Sequence, residues 1–315
     1  MNQKNMTSNN SRLTVITAGS SYLDIDAYAC MAAMAELLQL KGENAIAYSV
    51  APCNYSVCPS LRAEGQILQD LPDGTSAEDA RYVIVDVSDP EFLKSAVPLE
   101  NVAAVYDHHV GFEEYWAERI GDGAHIEFIG AAATLIYREW SKAGLQDSMS
   151  RSTALLLIAA ILDNTLNLTS SNTTAEDTET FRALCQRENI TEEWCAAYFS
   201  EVQASVEADL KNALFNDMKT VRNNAVLPPK VAQMCVWDAH RLLGKLPEIR
   251  ALFAGTPDSW MINIIDIKRH CSYFVCDDAR CQKEIESVFD VRFTSGIAKT
   301  PISYLRKEII KKTML

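Results

Sequence analysis

The sequence predicts an α/β fold, with a larger N-terminal domain on a parallel sheet and a smaller mixed α/β domain behind it. Three observations predict it. Apolar β-branched runs alternate with segments of helical period through the first half. Several of those runs are near-continuous, as in strands covered on both faces. The chain has 315 residues, and single cores stop growing at roughly 250–300 residues, so two domains are expected.

Taken in order, Leu13 to Thr17 (LTVIT) reads as the first strand. It is followed by the loop AGSSYLDID and by a helix through AYACMAAMAELLQLKG, whose apolar positions Cys30, Met34, Leu37 and Leu38 share a face and whose stop is Gly42. AIAYSVA is the second strand. RYVIVDVSD and VAAVYDHH follow as buried strands, and each ends in acid or histidine. In open α/β sheets ligands sit beyond the carboxyl ends of the strands, so these endings mark the expected site. Helices are expected at AAATLIYREWSKAG and at STALLLIAAIL, the latter apolar all round and hence buried. The Ser, Asn and Thr run before AEDTETFRAL offers N-caps, with acids in the first turn.

The charged, aromatic stretch QRENITEEWCAAYF marks the connection, giving a first domain over 1–190 and a second over 191–315. The second offers strands at KVAQMCVWDA, SWMINIIDI and CSYFVCD and helices at EIRALFAG and CQKEIESVF. No internal repeat or low-complexity tract is present.

The polar start MNQKNMTSNNSR lacks an apolar signal core, and no segment reaches the roughly 20 apolar residues of a membrane span, which predicts a cytoplasmic protein with no membrane partner. Nine scattered cysteines, an odd number, read as reduced thiols. The Cys53/Cys58 and Cys271/Cys276/Cys281 gaps lack the paired short spacing of zinc knuckles. A net charge of −13 repels long nucleic acid, while a small anion that carries its own cation is less opposed.

Asp24, Asp26, Asp86, Asp107 and either Asp163 or Asn164 fall at strand ends or just after a buried helix. Converging carboxylates either hold protons or bind a cation that offsets their repulsion. With His108 and His109 they form a mixed oxygen and nitrogen set, suited to manganese, magnesium or cobalt. A pair of divalent ions is expected. Such a pair lowers the pKa of a shared water and stabilises in-line attack on phosphorus. A single aspartate at a strand end often only caps a turn; three successive cases with adjacent histidines argue for a site.

Four segments, LDIDA, IVDVSD, the Asp107-His108-His109 triplet and AAILDNTLNLTSSNTT, come in the order seen in DHH phosphoesterases with a DHHA2 C-terminal domain. The chain resembles that family, which includes family II inorganic pyrophosphatases, exopolyphosphatases and prune-type enzymes, over nearly its whole length. The resemblance implies an N-terminal DHH domain and a DHHA2 domain. It implies two divalent ions (Mn²⁺ or Mg²⁺), with Asp86 bridging them, Asp24 serving one, and Asp26 and His108 the other. His109 would face a substrate phosphate, and Asp107 would orient a histidine. In the fourth motif Asn164 takes the gapless position of the family's aspartate; Asp163, as the anionic oxygen, is favoured as ligand, with Asn164 as the alternative. NDMKTV and YLRKEII resemble the family's phosphate-binding segments, which implies that Lys219, Arg306 and Lys307 hold substrate.

Ser20 departs from the family's histidine or asparagine four residues before the first aspartate. A hydroxyl is the poorer ligand, so the first site should be weaker and less selective for manganese. That moves weight from efficient pyrophosphatase toward exopolyphosphatase-like cleavage, or toward a small phosphorylated metabolite. His125, His240 and His270 have no motif around them and read as structural or surface residues.

The expected activity is hydrolysis of pyrophosphate or short polyphosphate. One alternative is a DHH-type phosphodiesterase on small nucleotides or oligonucleotides, although the glycine-rich GGGH motif of such relatives is absent. The other is a binding protein that kept the fold and lost turnover. An exposed edge of the first sheet offers a route to a homodimer.

Overall fold

The near-continuous apolar runs do become a parallel sheet. The computed structural model describes residues 12–19, 22–64, 67–73, 76–93, 97–216 and 218–314. Its contacts divide the chain into two units, 1–168 with 172–190 and 169–171 with 191–315.

In the first unit β1 (Thr14–Thr17), α1 (Ile25–Leu40), β2 (Ala45–Ala47), the short α2 (Pro59–Ala63), β3 (Arg81–Val85), β4 (Val102–Asp107), α3 (Glu113–Ile120) and β5 (Ala124–Ile126) follow one another. They are succeeded by α4 (Ala132–Ala143), α5 (Arg151–Asn164) and α6 (Ala175–Glu188). The five strands are parallel in the order β2-β1-β3-β4-β5. After β2 the chain returns past β1 to build the rest of the sheet, so the order reverses between β1 and β3. Loops leaving those strands diverge there and open a crevice at their carboxyl ends.

Helix α1 is buried on nearly every side, from Ile25 to Leu37, because it lies among the sheet, α4 and α5. Its Met and Ala residues are packing. Ser150 caps α5, whose residues Thr153 to Leu162 are all buried, as the all-round apolar text predicts. On the other face Leu13, Val15, Ile84, Val105 and Trp116 share a core cluster. The indole Nε1–H of Trp116 donates to the Ser88 carbonyl at 2.7 Å and ties the loop after β3 to that core. Thr174 and Asp177 form a reciprocal capping box at the start of α6.

The second unit contains α7 (Glu192–Ala208), α8 (Leu210–Asn216), β6 (Lys219–Thr220), β7 (Lys230–Val236), α9 (Ala239–Leu243) and α10 (Leu246–Leu252). Then come β8 (Trp260–Asp266), β9 (Cys271–Cys276), α11 (Ala279–Phe289), β10 (Ile297–Lys299) and α12 (Arg306–Thr313). Its sheet runs β10-β9-β8-β7-β6 and is mixed, only β7 and β8 pairing in parallel. Its core gathers Val231, Met261, Phe274, Ile285, Phe289 and Ile309. The α/β class with a parallel-sheet domain and a smaller mixed one is the one expected from sequence. No helix of the described residues is long and apolar enough to cross a membrane.

Candidate metal centre

Three strand ends and the loops after them deliver the acids. Asp24 is the N-cap of α1, its Oδ1 accepting the Ala27 N–H at 3.0 Å. Two residues on, Asp26 sits in the first helical turn, fully buried. Asp86 follows β3 with φ at 56°, in the left-handed region that aspartate tolerates better than most residues. Asp107 ends β4 and is fully buried, with His108 and His109 just beyond the strand.

The structure brings most of these side chains together. His108 Nε2 lies 3.3 Å from Asp86 Oδ1 and 3.9 Å from Asp26 Oδ2. His109 Nδ1 lies 4.0 Å from Asp86 Oδ1, and one potential ligand atom from each of Asp86, His108 and His109 falls within 4.8 Å of the others. Asp86 Oδ1 is buried and has no hydrogen-bond partner. Burial, with the neighbouring charges of Asp24 and Asp26, pushes Asp86 well above the usual carboxylate range. Burial likewise pushes Asp26 up to about 6, against the opposing pull of His108 and with the charge of Asp24 adding to it. A solitary buried anion without a donor is costly, and a divalent cation is the partner that removes the cost.

The imidazoles are held differently. His108 has its Nδ1 3.2 Å from the Ile129 carbonyl, an oxygen that can only accept, so Nδ1 is the donor there and Nε2 is the ring atom turned toward Asp86 and Asp26. That is the orientation of a metal ligand fixed by an outer partner. His109 has its Nδ1 2.8 Å from Asp107 Oδ1, which leaves Nε2 as its outward atom, and its side chain is 63% exposed. Burial works against its charge, but the hydrogen bond to Asp107 and the charge of Asp86 prevail and raise its pKa. Asp107 is raised by burial yet held below the usual range by its bond to His109 and by the His109 charge. Exposed, and with its charged form favoured by Asp107, His109 is a poorer ligand than His108 and a better proton or hydrogen-bond donor.

Asp26 receives three more bonds: Oδ2 accepts the Ala132 N–H and Oδ1 the Ala133 N–H, both at 2.8 Å, and Oδ1 also accepts the Cys30 S–H at 3.5 Å. Oδ2, the oxygen nearer His108 Nε2, keeps a further lone pair for a cation. The donor set of carboxylates and one imidazole suits manganese or magnesium.

Asp163 and Asn164 occupy the last turn of α5, and Asp163 is not one of the three clustered residues; the Asn164 amide donates to the Ala160 carbonyl at 3.4 Å. The residues after them, Leu166, Asn167 and Leu168, all have positive φ. Ser20 lies outside the described residues. His125 stacks on Tyr106 and His240 contacts the Tyr273 hydroxyl.

In the second unit Lys219 is exposed on the edge strand β6, paired with Val231 of β7. Two residues along β7, Gln233 accepts the Arg306 backbone N–H at 2.6 Å and an Asn263 N–H at 3.2 Å, and Asn263 also donates to the Tyr304 carbonyl at 2.7 Å. This network fixes the start of α12, where Arg306 and Lys307 stand. Sequence reasoning missed Gln233 and Asn263 because strand text marks them only as polar residues in apolar runs.

No protein-family model matches the chain. A probable manganese-dependent inorganic pyrophosphatase from Deinococcus radiodurans is 28% identical over 165 residues, spanning 49% of this chain and 48% of that protein, so the match extends over about half of the relative's length. Among solved structures, a Methanococcus jannaschii protein assigned to the family II inorganic pyrophosphatases superposes with a TM-score of 0.64 at 18% identity, covering 96% of this chain and all of that one. An exopolyphosphatase-related protein from Bacteroides fragilis superposes at 0.51 with 12% identity, covering 96% and 91%. These two likenesses establish the fold, and with the sequence match they bear out the resemblance carried by the four motifs.

Proposed function

We propose that the chain hydrolyses phosphoanhydride bonds with the help of divalent metal ions, acting on pyrophosphate or short polyphosphate. One observation carries the reading: Asp86 Oδ1 is buried without a hydrogen-bond partner and faces Nε2 of a His108 ring oriented by the Ile129 carbonyl. A carboxylate kept in that state calls for a cation. The sequence likeness to a manganese-dependent inorganic pyrophosphatase supports both the metal and the substrate class.

Asp24, Asp26, Asp86 and His108 would hold the metal, with Asp163 as a further ligand; two ions, Mn²⁺ or Mg²⁺, are the expected complement. Bound there, they would supply a water of lowered pKa and offset charge on the phosphoryl oxygens. His109, its charged form favoured by Asp107, would point an Nε2–H donor at a phosphate oxygen. Asp107 holds that ring in place. Lys219, Arg306 and Lys307 would grip the phosphates, the arginine through two parallel hydrogen bonds and the lysines as compact charges.

The deciding experiment measures phosphate release from pyrophosphate, tripolyphosphate, long polyphosphate and a nucleoside triphosphate, with Mg²⁺ and with Mn²⁺. Metal-dependent release from the short inorganic chains is expected. A protein that binds Mn²⁺ and releases no phosphate from any of them is not this enzyme, and cleavage of a labelled dinucleotide instead would move it to the phosphodiesterases.

A further inference from the structure

One stretch of backbone, Ile129 to Thr134, touches two of the proposed ligands. The Ile129 carbonyl lies 3.2 Å from His108 Nδ1, and the Ala132 and Ala133 N–H groups each donate at 2.8 Å to the two oxygens of Asp26. The same stretch is held at both ends by a single buried carboxylate. Gly130 N–H donates to Asp177 Oδ2 at 2.9 Å and the Thr134 hydroxyl to Asp177 Oδ1 at 2.6 Å. Asp177 is fully buried, and its Oδ2 also accepts the N–H and hydroxyl of Thr174 at 2.8 and 2.7 Å, which anchors it to the start of α6. Asn172 adds a bond to the Gly130 carbonyl at 3.2 Å. A Cβ at Gly130 would lie 2.6 Å from Asp177 Oδ2 and 2.7 Å from Thr165 Cγ2, so the close approach requires glycine.

We propose that Asp177 is a positioning residue for the metal centre: by clamping Gly130 and Thr134 it sets the Ile129 carbonyl that fixes the His108 tautomer and the two amides that aim Asp26. The proposal rests on reading the site as a metal centre, but the clamp itself is a feature of the metal-free protein. Asp177 touches neither His108 nor Asp26 in any of these bonds, and its effect passes through peptide planes. A carbonyl displaced from His108 Nδ1 removes the acceptor that holds a proton on that nitrogen, so the ring would populate both tautomers and lose its fixed orientation. Outer partners of this kind are worth about 10- to 100-fold in metal affinity.

Two readouts on the full chain test this. The first is the ¹⁵N NMR signature of the His108 ring in metal-free protein; the second is Mn²⁺ affinity from the electron paramagnetic resonance signal of free Mn²⁺. Asp177→Ala is expected to mix the His108 tautomers and to weaken Mn²⁺ binding about 10- to 100-fold. Asp177→Asn should restore both, because its amide oxygen can still accept from Gly130 and Thr174 while its NH₂ group donates to Thr134. Thr153→Val removes a buried bond to Glu36 elsewhere in the unit and controls for lost stability; it should move neither readout. If Asp177→Ala does not fold, Thr134→Val decides, with the same changes in smaller measure. A folded Asp177→Ala, or failing that Thr134→Val, with an unmixed tautomer and wild-type Mn²⁺ affinity overturns the proposal. A wild-type protein that ignores Mn²⁺ sinks the metal reading instead, and the tautomer readout then judges the clamp alone.

Discussion

His109 Nδ1 lies 2.8 Å from Asp107 Oδ1, and that same oxygen accepts the backbone N–H groups of His108 and His109 at 2.8 and 3.1 Å. One buried carboxylate oxygen therefore sets where the triplet's backbone runs and how its exposed ring is turned. The neighbouring His108 ring takes its orientation from a different element, through the Ile129 carbonyl. Adjacent histidines with different partners are suited to different tasks.

The first prediction follows from that division. His109→Gln should leave Mn²⁺ binding close to wild type, because His108 and the acids keep their geometry. Turnover of pyrophosphate should fall by about 100-fold or more, the usual effect of losing a positioned proton donor. Steady-state kinetics beside a metal titration separates the two. Lost metal binding with residual turnover unaffected at saturating Mn²⁺ would reassign His109 as a ligand.

Metal and pH should act on stability in opposite senses. Asp26 has its pKa raised from 3.8 to about 6 by burial, and burial also holds Asp86 well above the usual carboxylate range, so the metal-free native state holds protons that the unfolded chain has released. A raised carboxylate stabilises the fold below its unfolded pKa, and that contribution is lost as pH climbs through its folded value. Metal-free protein should therefore lose the Asp26 part of this stability between about pH 4 and pH 6 and the Asp86 part as pH climbs through that group's own raised value, and regain neither above. Mn²⁺ at 100 times its dissociation constant should add about 2.7 kcal/mol at pH 7.5. It should add much less at pH 5, where protons compete for the same oxygens. Thermal melts with EDTA and with Mn²⁺ at the two pH values check the sign; a metal shift equal at both would contradict it.

Arg306 heads α12 with its backbone N–H on Gln233, so truncating its side chain leaves the helix start in place. Arg306→Ala should keep metal affinity and fold while catalytic efficiency toward pyrophosphate drops about 10- to 100-fold, the cost of a lost charge-assisted phosphate contact. Arg306→Lys should recover only part, since an ammonium cannot make the paired bonds. Unchanged turnover in Arg306→Ala would remove the arginine from the substrate site.

Much of this was legible because the chemistry sits where strands end. The runs before Asp86 and Asp107 are short, β-branched and bounded by polar residues, which leaves little choice of element; the structure ends β3 at Val85 and β4 at Asp107. AIAYSVA was less legible: β2 stops at Ala47 because only its first three residues pair with β1, and no apolar count reveals where pairing stops. β6 and β10, of two and three residues, are edge strands made by their neighbours and too short to carry a period. The residues that orient the proposed ligands were hidden for another reason. Ile129 acts through its carbonyl and Ala132 and Ala133 through their amides, so their side chains say nothing of the role. In the fourth motif the sequence left Asp163 and Asn164 as alternatives, and both stand in the last turn of α5, with Asp163 not among the clustered Asp86, His108 and His109.

Trp116 gives a prediction about the loop that carries Asp86. Its side chain is fully buried in the cluster of Leu13, Ile84 and Val105, and its indole N–H satisfies the Ser88 carbonyl two residues beyond Asp86. Trp116→Phe keeps an aromatic ring but removes the donor and part of the volume. The freed carbonyl costs about 1–3 kcal/mol if no other donor reaches it, with a small cavity term added. Urea unfolding of the metal-free variant should show a loss of about 2–3 kcal/mol at unchanged m. The bond also restrains the loop behind Asp86, so Mn²⁺ affinity should weaken by a smaller factor than in the Asp177 clamp variants. A stability loss with Mn²⁺ affinity untouched would show that the left-handed turn at Asp86 is held by β3 and β4 alone, through the Asp86 N–H on the Tyr106 carbonyl.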